Sequence, residues 1–167
     1  GAISVASATT PGSFQASAGE SLTVGAINAS DINASAGGLA TVNGAWSAGN
    51  VQLVSDDIDI AANGSISAGD INLVSTNAAR TIVGDGIDQA GYQLSNAEYN
   101  RLNANDINVI ADAGLGAAPS MLIGDLSADA SAGEGVNDYE FITGDSESET
   151  AGGSIRILGE MVFTGMA

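Results

Sequence analysis

Aliphatic and polar residues alternate along most of this chain, in short runs separated by segments of Gly, Ser, Ala and Asn. Asp57-Ile58-Asp59-Ile60 and Ile71-Asn72-Leu73-Val74 show the pattern clearly. A period of two sends successive side chains to opposite faces of a strand, so each run predicts a strand with one buried face. No long stretch carries the helical period instead. The expected class is all-β.

The runs also recur. A small residue, Ala and Gly, then a polar residue and alternating aliphatics, stand at Ser17–Val24, Ser47–Ser55, Ser67–Ser75 and Thr150–Leu158. Asp-Ile-Asn occurs at 31–33, 70–72 and 106–108, with Asp57-Ile58-Asp59 as a variant. One unit of about twenty residues cannot bury its apolar face alone. Stacked units can, because each strand then pairs with its equivalents above and below at about 4.8 Å. The spacing therefore predicts a parallel β-helix, or β-solenoid, of imperfect coils of about twenty residues, forming a single segment over 1–167. In register, Val51/Leu53, Ile71/Leu73, Ile107/Val109 and Ile155/Ile157 would build inward aliphatic ladders, and Asn72 over Asn108 an outward amide ladder. Gly and Asn at the corners are expected to supply positive φ. A β-sandwich is the competing architecture, but it requires hairpin dipeptides and more aromatics than the 4% present.

Two insertions interrupt the repeat, at about 76–104 and 125–153. In the first, Leu94–Leu102 predicts a short helix: Ser95 and Glu98 have capping-box spacing, and Leu94 with Tyr99 has the spacing of a hydrophobic staple. Tyr92, Leu94, Tyr99 and Leu102 would face inward and cover the side of the stack. The second carries Asp125, Asp129, Glu134, Asp138, Glu140, Asp145, Glu147 and Glu149, an acidic loop in which Tyr139–Thr143 reads as a strand. Its polar flanks read as disordered. Both chain ends lie in strand-like patterns, which reads as a fragment of something longer. An unfinished stack exposes strand edges, so the expected partners are copies of the same chain or neighbouring coils of a longer one.

Charge narrows the function. Twenty acidic residues face three basic ones, all arginine (Arg80, Arg101, Arg156), for a net charge of -17. Such a field repels phosphate backbones, so no nucleic acid partner is expected. No run is long and apolar enough to imply membrane insertion. With no cysteine, lysine or histidine in the sequence, thiolate sites, disulfides and most nucleophile–base pairs are excluded. The Gly-Asp-Gly at 84–86 is followed by no lysine and is not a phosphate loop.

What remains is carboxylate chemistry. Asp56, Asp57 and Asp59, and separately Asp85 and Asp88 beside Gly84 and Gly86, are candidate calcium ligands, since calcium takes carboxylate and carbonyl oxygens. Neither group matches an EF-hand loop or a glycine-rich nonapeptide calcium repeat; each reads equally well as a solvated turn. Paired carboxylates could also cleave a glycosidic bond, yet Asp57 and Asp59 share one strand face while Asp56 takes the other. A sugar-stacking surface would need outward aromatics, and Trp46 reads as core.

Tyr92–Leu102, followed at once by Asn105–Ile110, and the phrase Gly69–Leu73 resemble large bacterial filamentous-haemagglutinin-like exoproteins of the two-partner-secretion type. The resemblance covers roughly 45–160. It implies a right-handed parallel β-helix, export to the bacterial cell surface, and a role in adhesion, biofilm or surface structure. The expected function is thus a non-enzymatic structural or adhesive segment of an extracellular filament or surface protein, with host or matrix glycans as candidate ligands. The alternative is a carbohydrate-binding or polysaccharide-cleaving module on the same scaffold.

Overall fold

The computed structural model describes residues 1–77, 79–112, 119–129, 138–143 and 153–164. Glu134, Asp145, Glu147, Glu149 and the Thr150-Ala151-Gly152 phrase lie outside the described residues. The chain runs through β1 (Ile3–Thr9), β2 (Phe14–Ala18), β3 (Leu22–Asn28), β4 (Asp31–Ala36), β5 (Leu39–Val42), β6 (Ala45–Ser47) and β7 (Asn50–Ser55). It continues with β8 (Asp57–Ile60), β9 (Ser65–Ser67), β10 (Asp70–Ser75), β11 (Thr81–Val83) and β12 (Tyr92–Leu94). The short helix α1 (Asn96–Tyr99) follows, then β13 (Leu102–Asn103), β14 (Asp106–Ala111), β15 (Ser120–Ile123) and β16 (Leu126–Asp129). The last three strands are β17 (Asp138–Thr143), β18 (Ser154–Ile157) and β19 (Met161–Thr164). The protein is all-β, and every strand pairing among the described residues is parallel.

A first sheet joins β13, β9, β6, β3, β5 and β8, with β1 also on β3. A second runs β17-β14-β10-β7-β4-β2, a third β12-β11-β15-β18, and a fourth pairs β16 with β19. The second sheet follows the sequence repeat directly: Ile32 pairs with Val51, Val51 with Ile71 and Ile71 with Ile107. Each strand alternates buried and open residues, as the period of two dictates.

The inward residues form one narrow core of Ala, Val, Ile and Leu, with Trp46 its largest member. Val51, Leu53, Ile71, Leu73 and Val109 have no exposed surface. At about 1.5–3 kcal/mol per buried aliphatic side chain, these columns are the main source of stability. Trp46 pairs in register with Ile27 and Ile66, and its indole Nε1 donates to the Gly25 carbonyl at 2.9 Å. The only polar atom of the ring is thereby satisfied.

Three expectations need correction. Ile155 and Ile157 do not extend the column of Ile107 and Val109; they pair with Met121 and Ile123 in the third sheet, and β17 takes the expected place. A period of two in the sequence does not name the partner strand, so the pattern alone does not say which sheet a run joins. The helix is also shorter than Leu94–Leu102. It ends at Tyr99, with Asn100 as its C-cap, because Leu102 pairs with Ile66 in the first sheet. Finally, no non-glycine residue among those described has positive φ, and only Gly84, Gly86 and Gly91 do so among the glycines. The repeat glycines serve close approach instead: Gly69 N donates to Gly49 O at 2.7 Å, and a Cβ on Gly69 would lie 2.7 Å from that same oxygen.

The span 76–104 holds β11, β12, α1 and β13, of which β13 belongs to the first sheet. Tyr92, Leu94, Tyr99 and Leu102 are all buried, as the inward-facing expectation requires. The capping box is present in both directions between Ser95 and Glu98. The span 125–153 contains β16 and β17.

Candidate functional site

The outward side of the second sheet is built by the residues that alternate with the core. Because the strands stack in register, these residues form rows that run across the strands. The first row is Asp31, Asn50, Asp70, Asp106 and, by backbone register, Asp138. The second is Asn33, Gln52, Asn72, Asn108 and Glu140. The third starts with Ser17 and Ser35 and becomes aliphatic, through Val54, Val74, Ile110 and Ile142. Neighbours within a row are about 4.8 Å apart, and successive rows about 6.6 Å.

Within the rows, amides bridge some neighbours. Asn108 Nδ2 donates to Asn72 Oδ1 at 3.0 Å, the predicted amide ladder. Asn50 Nδ2 donates to Asp31 Oδ1 at 2.9 Å, and Ser30 Oγ donates to Asp31 Oδ2 at 2.9 Å. Those two bonds, Asn50 first, hold the Asp31 carboxyl below its ordinary range. Asp70 and Asp106 stand in direct register, two carboxylate-bearing residues in succession along the row. Like charges in register repel. An open groove of about 430 Å³ lies here, lined by Asn50, Asp70, Asn72, Asp106, Asn108 and Glu140. None of the three arginines sits on this sheet: Arg156 is in β18, Arg80 donates to Gln89 Oε1, and Arg101 donates to the Ile60 carbonyl.

Two of the calcium candidates, Asp57 and Asp85, accept backbone hydrogen bonds through their side chains. Asp57 Oδ1 accepts from its neighbour Ile58 N at 3.0 Å and from Gln93 N at 2.9 Å, tying β12 to β8. Asp85 Oδ1 accepts from Asn96 N at 3.1 Å, at the start of α1. Asp56 contributes backbone, its carbonyl accepting from Asn77 Nδ2 at 3.2 Å. Asp59 is exposed on the outward side of β8, and Asp88 is exposed in the loop after Gly86. Asp85 and Asp88 share a smaller cleft of about 200 Å³ with Asp125. Among the described residues, no three acidic side chains converge in a way that could hold a metal ion. No helix of the described chain is long and apolar enough to cross a membrane.

The acidic row was open to sequence reasoning. Asp31, Asp70 and Asp106 all begin the repeated Asp-Ile-Asn phrase, but that phrase marks strand period first, and its aspartates become a row only once the register is known. Asn50 stands in the row where the phrase is broken. Glu140 carries no repeat signal at all.

Comparison with protein-family models, with curated proteins and with solved structures finds no match to this chain.

Proposed function

We propose that the chain is a segment of a parallel β-helix with coils of about twenty residues, and that its work is structural and adhesive rather than enzymatic. The observation that carries this reading is the second sheet. Six strands, from Phe14–Ala18 to Asp138–Thr143, pair in parallel without a break, and the four central ones, β4, β7, β10 and β14, carry equivalent runs of the repeat. An array of this kind extends by repetition and holds its outward rows at fixed spacing. The chain is a rigid support, and the three outward rows are the surface it presents.

The acidic balance and the lack of cysteine, lysine and histidine fit an exported bacterial surface or filament protein. Copies of the chain, or adjoining coils of a longer one, are its nearest partners. The test is electron microscopy of native extracellular material labelled with an antibody against this chain. Label running along rods or fibres is the expected result. Label confined to discrete soluble particles would overturn the proposal.

A further inference from the structure

We infer that Asn43 is a modification site: in the folded chain it deamidates through a succinimide formed with Gly44, with water as the co-reactant. The matching pair Asn63-Gly64, stacked beside it in the first sheet, is protected. The inference is independent of the structural and adhesive reading above.

Asn43-Gly44 and Asn63-Gly64 are the only two Asn-Gly pairs in the sequence. Glycine after asparagine leaves the following N–H unshielded by a Cβ, so that nitrogen attacks the asparagine Cγ most readily there. The two pairs hold matching places in the fold. Val42 pairs with Ile60 just before them, and Ala45 pairs with Ser65 just after. Neither glycine can be exchanged, since a Cβ on Gly44 would lie 2.6 Å from Ala26 N and one on Gly64 2.2 Å from Val42 O. The packing therefore keeps the reactive dipeptide at both places.

What separates them is the hold on the reacting groups. Gly64 is buried and its N–H, on the attacking nitrogen, donates to Ala61 O at 2.8 Å. Asn63 Nδ2, the leaving group, donates to Asn43 O at 3.2 Å. Ring closure at Asn63 must break both bonds. At Asn43 the side chain is exposed, and among the described residues no hydrogen bond engages its carboxamide or the Gly44 N–H. The bonds that hold this link use other atoms: Asn43 N donates to Val24 O at 2.7 Å, and Gly44 O accepts from Ser65 N at 3.3 Å. The attacking nitrogen and the attacked carbon are left free.

In the first step the Gly44 nitrogen bonds to Asn43 Cγ and the Cγ–Nδ2 bond breaks. The displaced nitrogen leaves as ammonia, carrying the proton that Gly44 gives up. Water then opens the ring, at Cγ to give aspartate or at the former backbone carbonyl to give isoaspartate. Either product sets a new carboxylate on the link between β5 and β6, and isoaspartate also lengthens that link by a methylene.

The test incubates the full chain in mildly alkaline buffer, folded and in guanidinium chloride, and follows ammonia release. Mass spectrometry with fragmentation then separates position 43 from position 63. In the folded chain Asn43 is expected to convert severalfold faster than Asn63. In denaturant the two rates should converge, because both pairs are then open peptide. Asn43→Gln, which needs a larger and slower-closing ring, should abolish the fast conversion in the folded chain, and Asn63→Ser should retain it. Equal rates in the folded chain, faster conversion at Asn63, or an Asn43 that stays intact when folded and converts only in denaturant would each overturn the inference.

Discussion

Glu98 Oε1 accepts the backbone N–H of Ile60 at 3.0 Å, across 38 residues of sequence. The same carboxylate accepts from Ser95 N and Ser95 Oγ through Oε2, so one side chain both caps α1 and closes the edge of β8. Arg101 completes the closure by donating to the Ile60 carbonyl. Side chains here take the place of a strand.

Glu98→Ala should therefore cost more than a lost cap. The cap is worth about 1 kcal/mol, and a buried N–H left without a partner costs about 1–3 kcal/mol more. A loss of about 2–4 kcal/mol in urea unfolding is expected. A loss below about 1 kcal/mol would mean that Ile60 is served by something other than Glu98.

Leu73 and Ile157 occupy similar places in the sequence repeat, yet the structure separates them. Leu73 has no exposed surface, whereas Ile157 is 61% exposed. Leu73→Ala is expected to cost about 2–5 kcal/mol and Ile157→Ala less than about 0.5 kcal/mol, by denaturant midpoint at unchanged slope. Equal costs would contradict the placement of β18.

That contrast shows where sequence reading stops. The strands, their inward faces and the stacking of Val51, Ile71 and Ile107 follow from period and spacing, because each aliphatic has only one buried side to choose. The box at Ser95 and Glu98 was equally legible, since it depends on residues three apart. The sheet that a run joins is decided by strands far along the chain, which is why the repeat at Ile155 does not reveal its pairing with Met121. The reach of Glu98 to Ile60 depends on that same long-range packing, and no local pattern announces it. The outward rows were half legible: the amide ladder of Asn72 and Asn108 could be read, while Glu140 entered only through the register.

Asp31 should titrate low. Asn50 first and then Ser30 hold its carboxyl below the ordinary value, burial opposes them, and Ser13 adds the smallest lowering. A depressed folded pKa means that the stabilising contribution is present above the unfolded value of about 3.9 and is lost as pH falls through the folded value. NMR titration of the Asp31 carboxyl should show an upward move in Asn50→Ala. An unchanged midpoint would remove Asn50 as the cause.

Tyr92 gives the opposite sign. Its phenol is pushed well above the usual tyrosine range, by burial first and then by the charges of Asp57 and Glu98. A raised folded pKa leaves the native state protonated, so stability is whole below about pH 10 and declines above it by up to about 1.4 kcal/mol per pH unit. The hydroxyl also has no hydrogen-bond partner among the described residues. Tyr92→Phe is therefore expected to be neutral or stabilising by up to about 1 kcal/mol and to flatten the alkaline decline. Destabilisation by more than about 1 kcal/mol would show that the hydroxyl is held.

Asp70 pairs with Asp106 in the same register as it pairs with Asn50, although sixteen more residues separate it from Asp106 than from Asn50. The vertical neighbours keep their places however far the chain wanders between them. Lengthening the excursion after Ser75 should add only closure entropy, about 0.6 kcal/mol for each doubling of its length. The excursion is thus a port through which foreign sequence could be carried beside the second sheet, with its rows undisturbed.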